Sequence, residues 1–285
     1  KQVVQELAER LVKEGHDVHV YVSDSDKEGR IREKEVVING VKVHRCRYWF
    51  KVSRFAYVWP SVFWKLWKED FDIVHSHVSG HAHSFFAALV CKLKRIKHIH
   101  TTHCPWTEGF RPLLARIFLW VSYKSFLILT FKWSDKIIAI TPWEVDFIKK
   151  YGGKENKIIV IPNGMDDIFY NKVKNNEFKK RLNIKEKLVL FLGRLNITNG
   201  PDKLVLAAKE ILKERRDIDF VFIGPDEGMM ETVKKISEGI EKIHILGALR
   251  GKEKLAEAYQ SADVYVLPSY REGLPLTLFE AYASG

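Results

Sequence analysis

The chain alternates short apolar runs with longer amphipathic segments, in two successive series. This alternation predicts an α/β protein in which parallel strands are covered by helices on both faces of each sheet. We expect strands near 72–76, 97–102, 136–140, 157–161, 188–192, 218–223, 243–246 and 263–267. We expect helices near 59–69, 81–94, 111–131, 142–151, 201–215, 228–238, 251–260 and 275–284. A chain of 285 residues is long enough for two such halves to form separate domains.

The turn Pro162-Asn163-Gly164 interrupts the alternation, and the polar stretch from Asp166 to Lys187 has the composition of a linker with a short helix. We therefore predict one domain over residues 1–163 and a second over residues 164–285. Ligands bind at the carboxyl ends of the strands in such sheets. Two facing domains would leave a binding cleft between them.

Before the first series, residues 1–12 are patterned as an amphipathic helix and residues 17–22 as a strand. The pair Asn39-Gly40 predicts a hairpin over 36–44, because both residues tolerate the positive φ angles of a two-residue turn. The chain opens directly with this helix and stops at Gly285, where the last helix should return to the sheet. We expect a fragment that lacks both ends.

Composition excludes a disordered chain, since 46% of the residues are hydrophobic and 29% are charged. No signal peptide and no apolar run of membrane-spanning length is present in the sequence. Three cysteines, Cys46, Cys91 and Cys104, form no Cys-x-x-Cys pair. An odd number of unpaired cysteines favours a reducing compartment, so we expect a cytoplasmic protein.

The positive charge is concentrated in the first half of the chain. Residues 1–160 hold 27 Lys and Arg against 17 Asp and Glu, whereas residues 161–285 hold 20 against 19. This asymmetry indicates an anionic partner for the first half, or else a solvated lysine-rich surface of the kind also seen in heat-stable proteins. Two aromatic and basic stretches, 45–67 and 118–133, suit the interface of an anionic bilayer, although such aromatics also occur in cores. Nucleic acid is disfavoured, because none of its recognition modules is present.

The last stretch of the chain has the pattern of an anion site. A buried strand is followed by Glu272-Gly273-Leu274-Pro275, which places a glycine turn and a proline at a helix start. Unpaired N–H groups at a helix start can bind a phosphate, and Glu280 on the first or second turn could accept hydrogen bonds from hydroxyls. Together these groups suggest a nucleotide sugar; the alternative is a strand and helix cap without a ligand.

Two other residues follow predicted strands. Arg194, after Gly193, stands at the end of the first strand of the second half, where a guanidinium can hold a diphosphate bidentately, unless it is only a surface arginine. His103 follows the strand near 97–102, where it could hydrogen-bond a ligand unless it is only a satisfied loop histidine. The first half also contains four closely spaced histidines, a residue type that commonly binds zinc: His75, His77, His81 and His83. We expect no metal, because no carboxylate or cysteine lies between these histidines.

The spacing Glu272 to Glu280, filled as Glu-Gly-x-Pro-Leu at its start, resembles the donor-site motif of the retaining glycosyltransferases of family 4. The same family is resembled by segments 72–77, 98–103, 161–166 and 193–200, in the same order along the chain. This resemblance implies a GT-B fold of two Rossmann-like domains facing across a cleft. The first would bind a glycan or lipid acceptor and the second a nucleotide diphosphate sugar, with no metal or cofactor.

The resemblance also implies roles for single residues. Arg194 and the N–H groups after Gly273, including that of Leu274, would hold the leaving diphosphate. Glu280 would bind the ribose hydroxyls, Glu272 would orient the donor sugar and His103 would contact the sugar itself. The family has a Lys-Gly pair where this chain has Asn199-Gly200, so Lys203 would have to supply the second positive charge.

The resemblance implies a metal-independent, retaining hexosyltransferase, which the cysteines and the charge asymmetry lead us to expect in the cytoplasm or peripheral to the inner face of the cell membrane. We expect the fragment itself to be inactive. Two other classes stay open: a sugar-nucleotide epimerase or glycan phosphorylase on a similar fold, and a non-catalytic sugar-nucleotide-binding protein. Asn199 is the best sequence argument for the last.

Overall fold

A computed structural model describes residues 2–26, 29–53, 56–103, 113–174 and 176–285. The backbone divides into two compact units, Lys1–Asn163 and Gly164–Gly285. No helix in the described part of the chain combines the length and the apolar character that crossing a bilayer requires. Cys46 and Cys91 are buried free thiols, while Cys104 lies outside the described residues.

Unit 1 contains two larger sheets and a short antiparallel pair. Its elements are α1 Gln2–Lys13, β1 His19–Ser23, β2 Glu35–Ile38, β3 Val41–Cys46, β4 Phe50–Ser53, β5 Ala56–Val58, α2 Ser61–Lys68, β6 Ile73–His77, α3 Ala82–Lys94, β7 Lys97–Thr101, α4 Leu113–Ser122, α5 Ile128–Trp133, β8 Lys136–Ala139, α6 Glu144–Lys150 and β9 Ile158–Val160. Strands β6, β7, β8 and β9 form a parallel sheet in that order. The strands of the other sheet lie in the order β1-β3-β2, with β1 parallel to β3.

The Asn39-Gly40 hairpin is confirmed. Strands β2 and β3 pair antiparallel on either side of it, with φ of 49° at Asn39 and 82° at Gly40. A Cβ atom added to Gly40 would also lie 2.7 Å from Val12 Cγ1 of α1. The turn therefore needs glycine both for its backbone angle and for the packing of α1 against the hairpin.

The long helix expected over 111–131 is interrupted. Residues Tyr123–Leu127 form a π-helical turn between α4 and α5, and residues 111 and 112 lie outside the described part. Tyr123 and Leu127, both at most 2% exposed, lie on this turn and join the core formed with Phe131 and Ile137. Periodicity alone gives no signal for such a single-turn bulge.

Unit 2 is one parallel sheet with helices on both faces. Its elements are α7 Phe178–Arg181, β10 Lys187–Leu192, α8 Pro201–Glu214, β11 Ile218–Ile223, α9 Met230–Ile236, β12 Ile243–Gly247, α10 Lys252–Ser261, β13 Val264–Tyr265 and α11 Leu276–Ala283. The strands lie in the order β12-β11-β10-β13. Successive residues of β10 enter two different cores, because Leu190 packs with Tyr259 of α10 on one face and Phe191 packs with Val205 of α8 on the other.

The polar stretch 166–187 is not a free linker. Phe169 and Phe178 are 1% and 3% exposed and belong to one core of unit 2. Arg181 donates two hydrogen bonds to the carboxylate of Glu257 on α10, at 3.0 and 2.6 Å. This segment is therefore part of the second unit, although its composition resembles that of a connector.

Candidate functional site

The carboxyl ends of β10 and β13 hold two of the predicted site segments together. These strands pair in parallel, with Val189 opposite Val264, so their following loops leave from the same edge of the sheet. The N–H of Tyr270 in the second loop donates to the carbonyl of Thr198 in the first, at 2.9 Å. Gly200 has φ of 64°, and a Cβ atom there would lie 2.5 Å from the carbonyl oxygen of Pro268. Residues 193–200 and 268–275 thus meet through direct backbone contact.

The side chain of Arg194 is 55% exposed at this edge. Its Nη1 donates to Glu227 Oε2 at the long distance of 3.5 Å, while Asn196 Nδ2 donates to the same oxygen at 3.0 Å. An exposed ion pair of this kind is worth at most about 1 kcal/mol. The charge of Arg194 is therefore available to an anionic ligand.

The backbone beneath Arg194 is fixed by a close approach of two glycines. Gly224, which follows β11, has φ of 156°, and a Cβ atom on it would lie 1.7 Å from the carbonyl oxygen of Gly193. The N–H of Gly193 donates to Ile223 at 2.9 Å, and that of Leu195 donates to Pro225 at 2.9 Å. The loops after β10 and β11 therefore continue to pair beyond the ends of their strands.

The position of the family lysine is occupied by a structural residue. Asn199 is 9% exposed, and its N–H donates to Asn196 Oδ1 at 2.9 Å. Lys203, in the first turn of α8, has a 53% exposed side chain and its Nζ lies 3.4 Å from Asp202 Oδ2. Hydrogen bonds to Tyr270 and Asp202 raise the pKa of Lys203 above its ordinary value. Since Tyr270 belongs to the loop after β13, a positive charge does lie beside that loop.

Glu280 lies on the second turn of α11, as expected, and is only 6% exposed. Tyr259 of α10 donates its hydroxyl to Glu280 Oε2 at 2.9 Å. Burial and the neighbouring Glu280 carboxylate raise the pKa of Tyr259. The carboxylate is therefore held in one orientation by a residue that the sequence did not indicate.

The remaining donor-site candidates lie in the loop before α11. Glu272 is exposed, and Gly273 and Leu274 are half-buried. Pro275 is the residue before the helix and makes no side-chain cap. Its side chain therefore accepts no hydrogen bond from the first N–H groups of α11. The loop thus brings an exposed carboxylate and a helix start to the same edge as Arg194.

In unit 1, histidines gather where β6 and β7 end. Nδ1 of His77 lies 2.9 Å from Nε2 of His103, and Nε2 of His75 lies 2.7 Å from Thr101 Oγ1. Burial, with the neighbouring histidines, lowers the pKa of His75 to about 4 and that of His77 to about 2. Burial also lowers the pKa of His103, which has the left-handed φ of 55°. These imidazoles are neutral near pH 7 and offer hydrogen bonds instead of charge.

Other polar residues missed by sequence reasoning support these strand ends. Ser76 Oγ lies 2.9 Å from His98 Nε2 and 2.8 Å from His100 Nδ1, all three being buried. Glu144, fully buried, accepts hydrogen bonds from Thr102 Oγ1 and the N–H of Ile140, both at 2.7 Å. Thr102 immediately precedes His103, so the second network fixes the backbone that carries it. Within the described ranges no three His, Cys, Asp or Glu side chains are grouped so as to hold a metal ion.

Comparison with known families assigns both units. The model of Glycosyltransferase Family 4 matches residues 1–168, and the model of Glycosyl transferases group 1 matches residues 172–285. The first match alone covers more than half of the chain. The chain therefore belongs to glycosyltransferase family 4.

Individual relatives support this assignment over different lengths. An uncharacterized glycosyltransferase of Methanocaldococcus jannaschii is 27% identical over 299 residues, a match that covers 98% of this chain and 73% of the relative. The N,N'-diacetylbacillosaminyl-diphospho-undecaprenol alpha-1,3-N-acetylgalactosaminyltransferase of Campylobacter jejuni is 31% identical over 62% of this chain and 46% of its own length. A D-inositol 3-phosphate glycosyltransferase of Corynebacterium diphtheriae is 30% identical over 53% of this chain and 39% of its own. The chain thus spans less than half of the last two relatives.

Solved structures share the fold at low identity. WaaG, a glycosyltransferase involved in lipopolysaccharide biosynthesis, has a TM-score of 0.69 at 16% identity, covering 99% of this chain and 75% of its own. HepE of Anabaena, solved with UDP-glucose, has a TM-score of 0.67 at 13% identity, and the match covers 86% of this chain and 66% of HepE. The prediction of two Rossmann-like domains of the GT-B class is confirmed.

Proposed function

We propose that this protein is a retaining hexosyltransferase, which moves a sugar from a nucleotide diphosphate sugar to a glycan or lipid acceptor. The observation that carries this proposal is the backbone contact between Gly200 and Pro268. That contact joins the loop that carries the exposed Arg194 to the loop that leads into α11, the helix on which Tyr259 hydrogen-bonds the carboxylate of Glu280. A diphosphate and a ribose are the two parts of a nucleotide that need these groups.

The proposed donor contacts follow from charge and exposure. Arg194 and Lys203 neutralise the diphosphate, together with the N–H groups that follow Gly273. Glu280 accepts hydrogen bonds from the ribose hydroxyls, because the two oxygens of a carboxylate can together accept several hydrogen bonds, of which the Tyr259 hydroxyl supplies one. Glu272, exposed in the same loop, orients the donor sugar.

The reaction proposed here breaks the bond between the anomeric carbon and the diphosphate and forms a bond from the same carbon to the acceptor oxygen, while the proton of the acceptor hydroxyl passes to the departing diphosphate oxygen. Both events occur on one face of an oxocarbenium-like sugar, which retains the anomeric configuration without a protein nucleophile. The two cations stabilise the charge that develops on the diphosphate, so this chemistry requires no metal ion. Neutral His103 hydrogen-bonds a hydroxyl of the transferred sugar.

We further propose that unit 1 lies peripherally on an anionic membrane surface at the cytoplasmic side, where it meets its acceptor. Trp64 and Trp67 on α2 are 63% and 42% exposed beside Lys65 and Lys68, and Trp120 on α4 is 63% exposed. Exposed tryptophans next to lysines suit an anionic lipid interface. The name of the Campylobacter jejuni relative, which refers to a diphospho-undecaprenol carrier, is consistent with this proposal.

The donor proposal is tested by a thermal-shift screen with uridine, guanosine and adenosine diphosphate sugars. Binding to the folded state raises Tm, by an amount that grows with ligand concentration over Kd. At least one nucleotide sugar should raise Tm, and Arg194→Ala should reduce that shift. No shift with any of the three would contradict the proposal. Formation of an epimerised nucleotide sugar without acceptor, or a requirement for orthophosphate, would replace it with the epimerase or phosphorylase alternative.

The membrane proposal is tested by co-sedimentation with phosphatidylcholine vesicles, with and without phosphatidylglycerol. Binding should require the anionic lipid and should fall in the double variant Trp64→Ser, Trp67→Ser. Trp143→Ser is the matched control, since Trp143 is 44% exposed immediately before a different helix, α6. Equal loss of binding in the control variant would show that no specific face is involved.

A further inference from the structure

A second concave surface lies in unit 1, at the carboxyl ends of β1 and β3. The two strands are parallel, with Ser23 opposite Cys46, so the chain leaves both at the same edge. The N–H of Asp24 donates to the carbonyl of Cys46 at 2.8 Å and extends the pairing. An open pocket of ≈ 360 Å³ follows, lined by Arg30, Arg47, Tyr48 and Trp49. None of these residues has a role in the donor site.

One guanidinium of this pocket is held in place before any ligand arrives. Arg30 donates Nη2 to the carbonyl of Tyr48 at 2.8 Å and Nη1 to both carboxylate oxygens of Asp24 at 3.3 Å. Its Cζ lies 3.6 Å from the centre of the Tyr48 ring. A group already ordered in this way loses little side-chain entropy when it binds a ligand.

Asp24 is the fully buried anchor of this arrangement. It also accepts hydrogen bonds from Lys34 Nζ at 2.7 Å and from the N–H of Tyr48 at 3.1 Å. Burial alone would raise its pKa, but Lys34, the Tyr48 N–H and Arg30 together lower it. Asp24 therefore stays charged, and its charge is already shared between two cations.

The pocket keeps an excess of positive charge. The two charged residues that line the pocket, Arg30 and Arg47, are both positive, and the carboxylate of Asp24 that Arg30 contacts is also paired with Lys34. Arg47 is exposed at the rim, and among the described residues it makes no hydrogen bond or ion pair. Trp49, 69% exposed, adds an aromatic surface beside the two guanidinium groups. Two arginines that line the same open pocket can both donate charge-assisted hydrogen bonds to one phosphate group.

We propose that this pocket binds a phosphate or diphosphate group of the acceptor, with Arg30 and Arg47 as its ligands and Trp49 in contact with the attached sugar or chain. The identification of the ligand as an acceptor rests on the proposed function, whereas the binding of the phosphate itself does not. The phosphate is borne either by a lipid or by a soluble molecule, and both present the same chemistry to the pocket.

The first experiment is a calorimetric titration of the protein with pyrophosphate. Pyrophosphate should bind at two independent sites, because the proposed donor site also holds a diphosphate. Arg194→Ala should remove one site, and adding Arg47→Gln should weaken the remaining one at least tenfold, about 1.4 kcal/mol. Arg32→Gln is the matched control, since Arg32 is exposed in the same segment but does not line the pocket.

The outcomes separate the two proposals. If Arg194→Ala leaves no site, if Arg47→Gln leaves the remaining affinity unchanged, or if Arg32→Gln weakens it equally, the pocket proposal is overturned. If the titration finds the site that depends on Arg194 but no site that depends on Arg47, only the pocket proposal fails and the donor proposal stands. Arg30→Gln is a second variant, with Tm measured in parallel, because it also removes two of the hydrogen bonds to Asp24. Arg47→Gln should leave Tm unchanged.

A second arm identifies the source of the phosphate. Glycerol 3-phosphate is compared with phosphatidylcholine vesicles that contain phosphatidic acid, and vesicles of equal charge that contain phosphatidylglycerol serve as the control. Binding of glycerol 3-phosphate that depends on Arg47 supports a soluble phosphorylated acceptor. A preference for phosphatidic acid that depends on Arg47 supports a lipid-borne one. If the binding of neither ligand depends on Arg47, the proposal is overturned.

Discussion

At the scale of single residues, Glu280 and Arg194 differ in burial in a way that fits the different roles proposed for them. Its carboxylate is nearly inaccessible and hydrogen-bonded to Tyr259, an arrangement that costs desolvation unless the group is used or well paired. Arg194, by contrast, is exposed and weakly paired. The first residue is suited to fixed recognition of a neutral sugar, and the second to a charge that forms during the reaction.

We expect Glu280→Ala to weaken binding of the nucleoside diphosphate at least tenfold, because the ribose hydroxyls lose their acceptor. The variant should also be less stable by about 1–3 kcal/mol, since the buried Tyr259 hydroxyl loses its partner. Tyr259→Phe is the control: it removes the same hydrogen bond but keeps the carboxylate, so its affinity should fall less. Calorimetry with the nucleotide that gives the largest thermal shift measures both variants. Unchanged affinity in Glu280→Ala would remove the ribose assignment.

Arg194→Ala should slow transfer in addition to weakening the binding of the diphosphate, since the proposed role of the guanidinium is also to stabilise the charge that grows on the departing diphosphate. A loss of one such contact costs roughly 10²-fold or more in kcat. Lys203→Ala should have a smaller effect, because its charge is shared with Asp202 and Tyr270. Steady-state kinetics of the two variants separates the contributions of Arg194 and Lys203. An increase in KM with unchanged kcat for Arg194→Ala would mean that the guanidinium binds the ground state and the transition state equally.

At the scale of elements, periodicity was sufficient to predict the main strands and helices, because each has one or two continuous apolar faces. It failed where long-range packing decides the structure. The strands β4 and β5 have no recognisable turn signal between them, and the buried Phe169 and Phe178 lie in a segment whose average composition is polar. The same limit applies to the candidate site: strand ends and helix starts in the sequence predict Arg194 and Glu280, whereas the contact of Tyr259 with Glu280 depends on the packing of α10 against α11.

The glycine loops provide a stability prediction. Gly224→Ala should destabilise unit 2 by several kcal/mol, of order 3 or more, because its Cβ would overlap the carbonyl oxygen of Gly193 and the backbone must move. Gly239→Ala is the matched control, since it also has a positive φ but meets nothing within 4 Å. The control should cost only about 1–2 kcal/mol for the left-handed backbone. Urea unfolding followed by circular dichroism compares them, and equal costs would contradict the packing argument.

At the scale of the whole molecule, the two units differ in their content of titratable groups. Ten of the eleven histidines lie in unit 1, and only His244 lies in unit 2. Burial lowers the pKa of His98 to about 4 and that of His83 to about 3, and it lowers the pKa of His100 well below the ordinary value. Folded unit 1 therefore resists protonation at several sites that titrate near pH 6.5 once the chain unfolds.

This difference predicts that unit 1 is selectively sensitive to acid. Above about pH 6.5 these histidines are neutral in both states and have no effect, whereas below it the unfolded state binds more protons. Each buried histidine should then remove up to about 1.4 kcal/mol of stability per pH unit until the pH reaches its folded pKa. All eight tryptophans lie in unit 1, so tryptophan fluorescence during urea unfolding follows that unit alone.

The unfolding midpoint followed by fluorescence should be constant from pH 8 to 7 and should fall steeply between pH 6.5 and 5. His75→Gln should reduce the steepness, because one group with a lowered pKa is removed. His16→Gln, at an exposed position of the same unit, should leave it unchanged. A midpoint independent of pH over this range would show that the buried imidazoles are not protonated on unfolding.

The contact between Gly200 and Pro268 has a consequence for how such an enzyme can acquire new donors. Three loops at this edge, after β10, β11 and β13, are joined by backbone hydrogen bonds, so none can lengthen without displacing another. New preferences should therefore arise through exchange of exposed side chains that the loops carry, such as Ile197 and Tyr270, which are 58% and 56% exposed. In a selection for altered nucleotide use, point substitutions at these positions should survive while insertions in the same loops are eliminated.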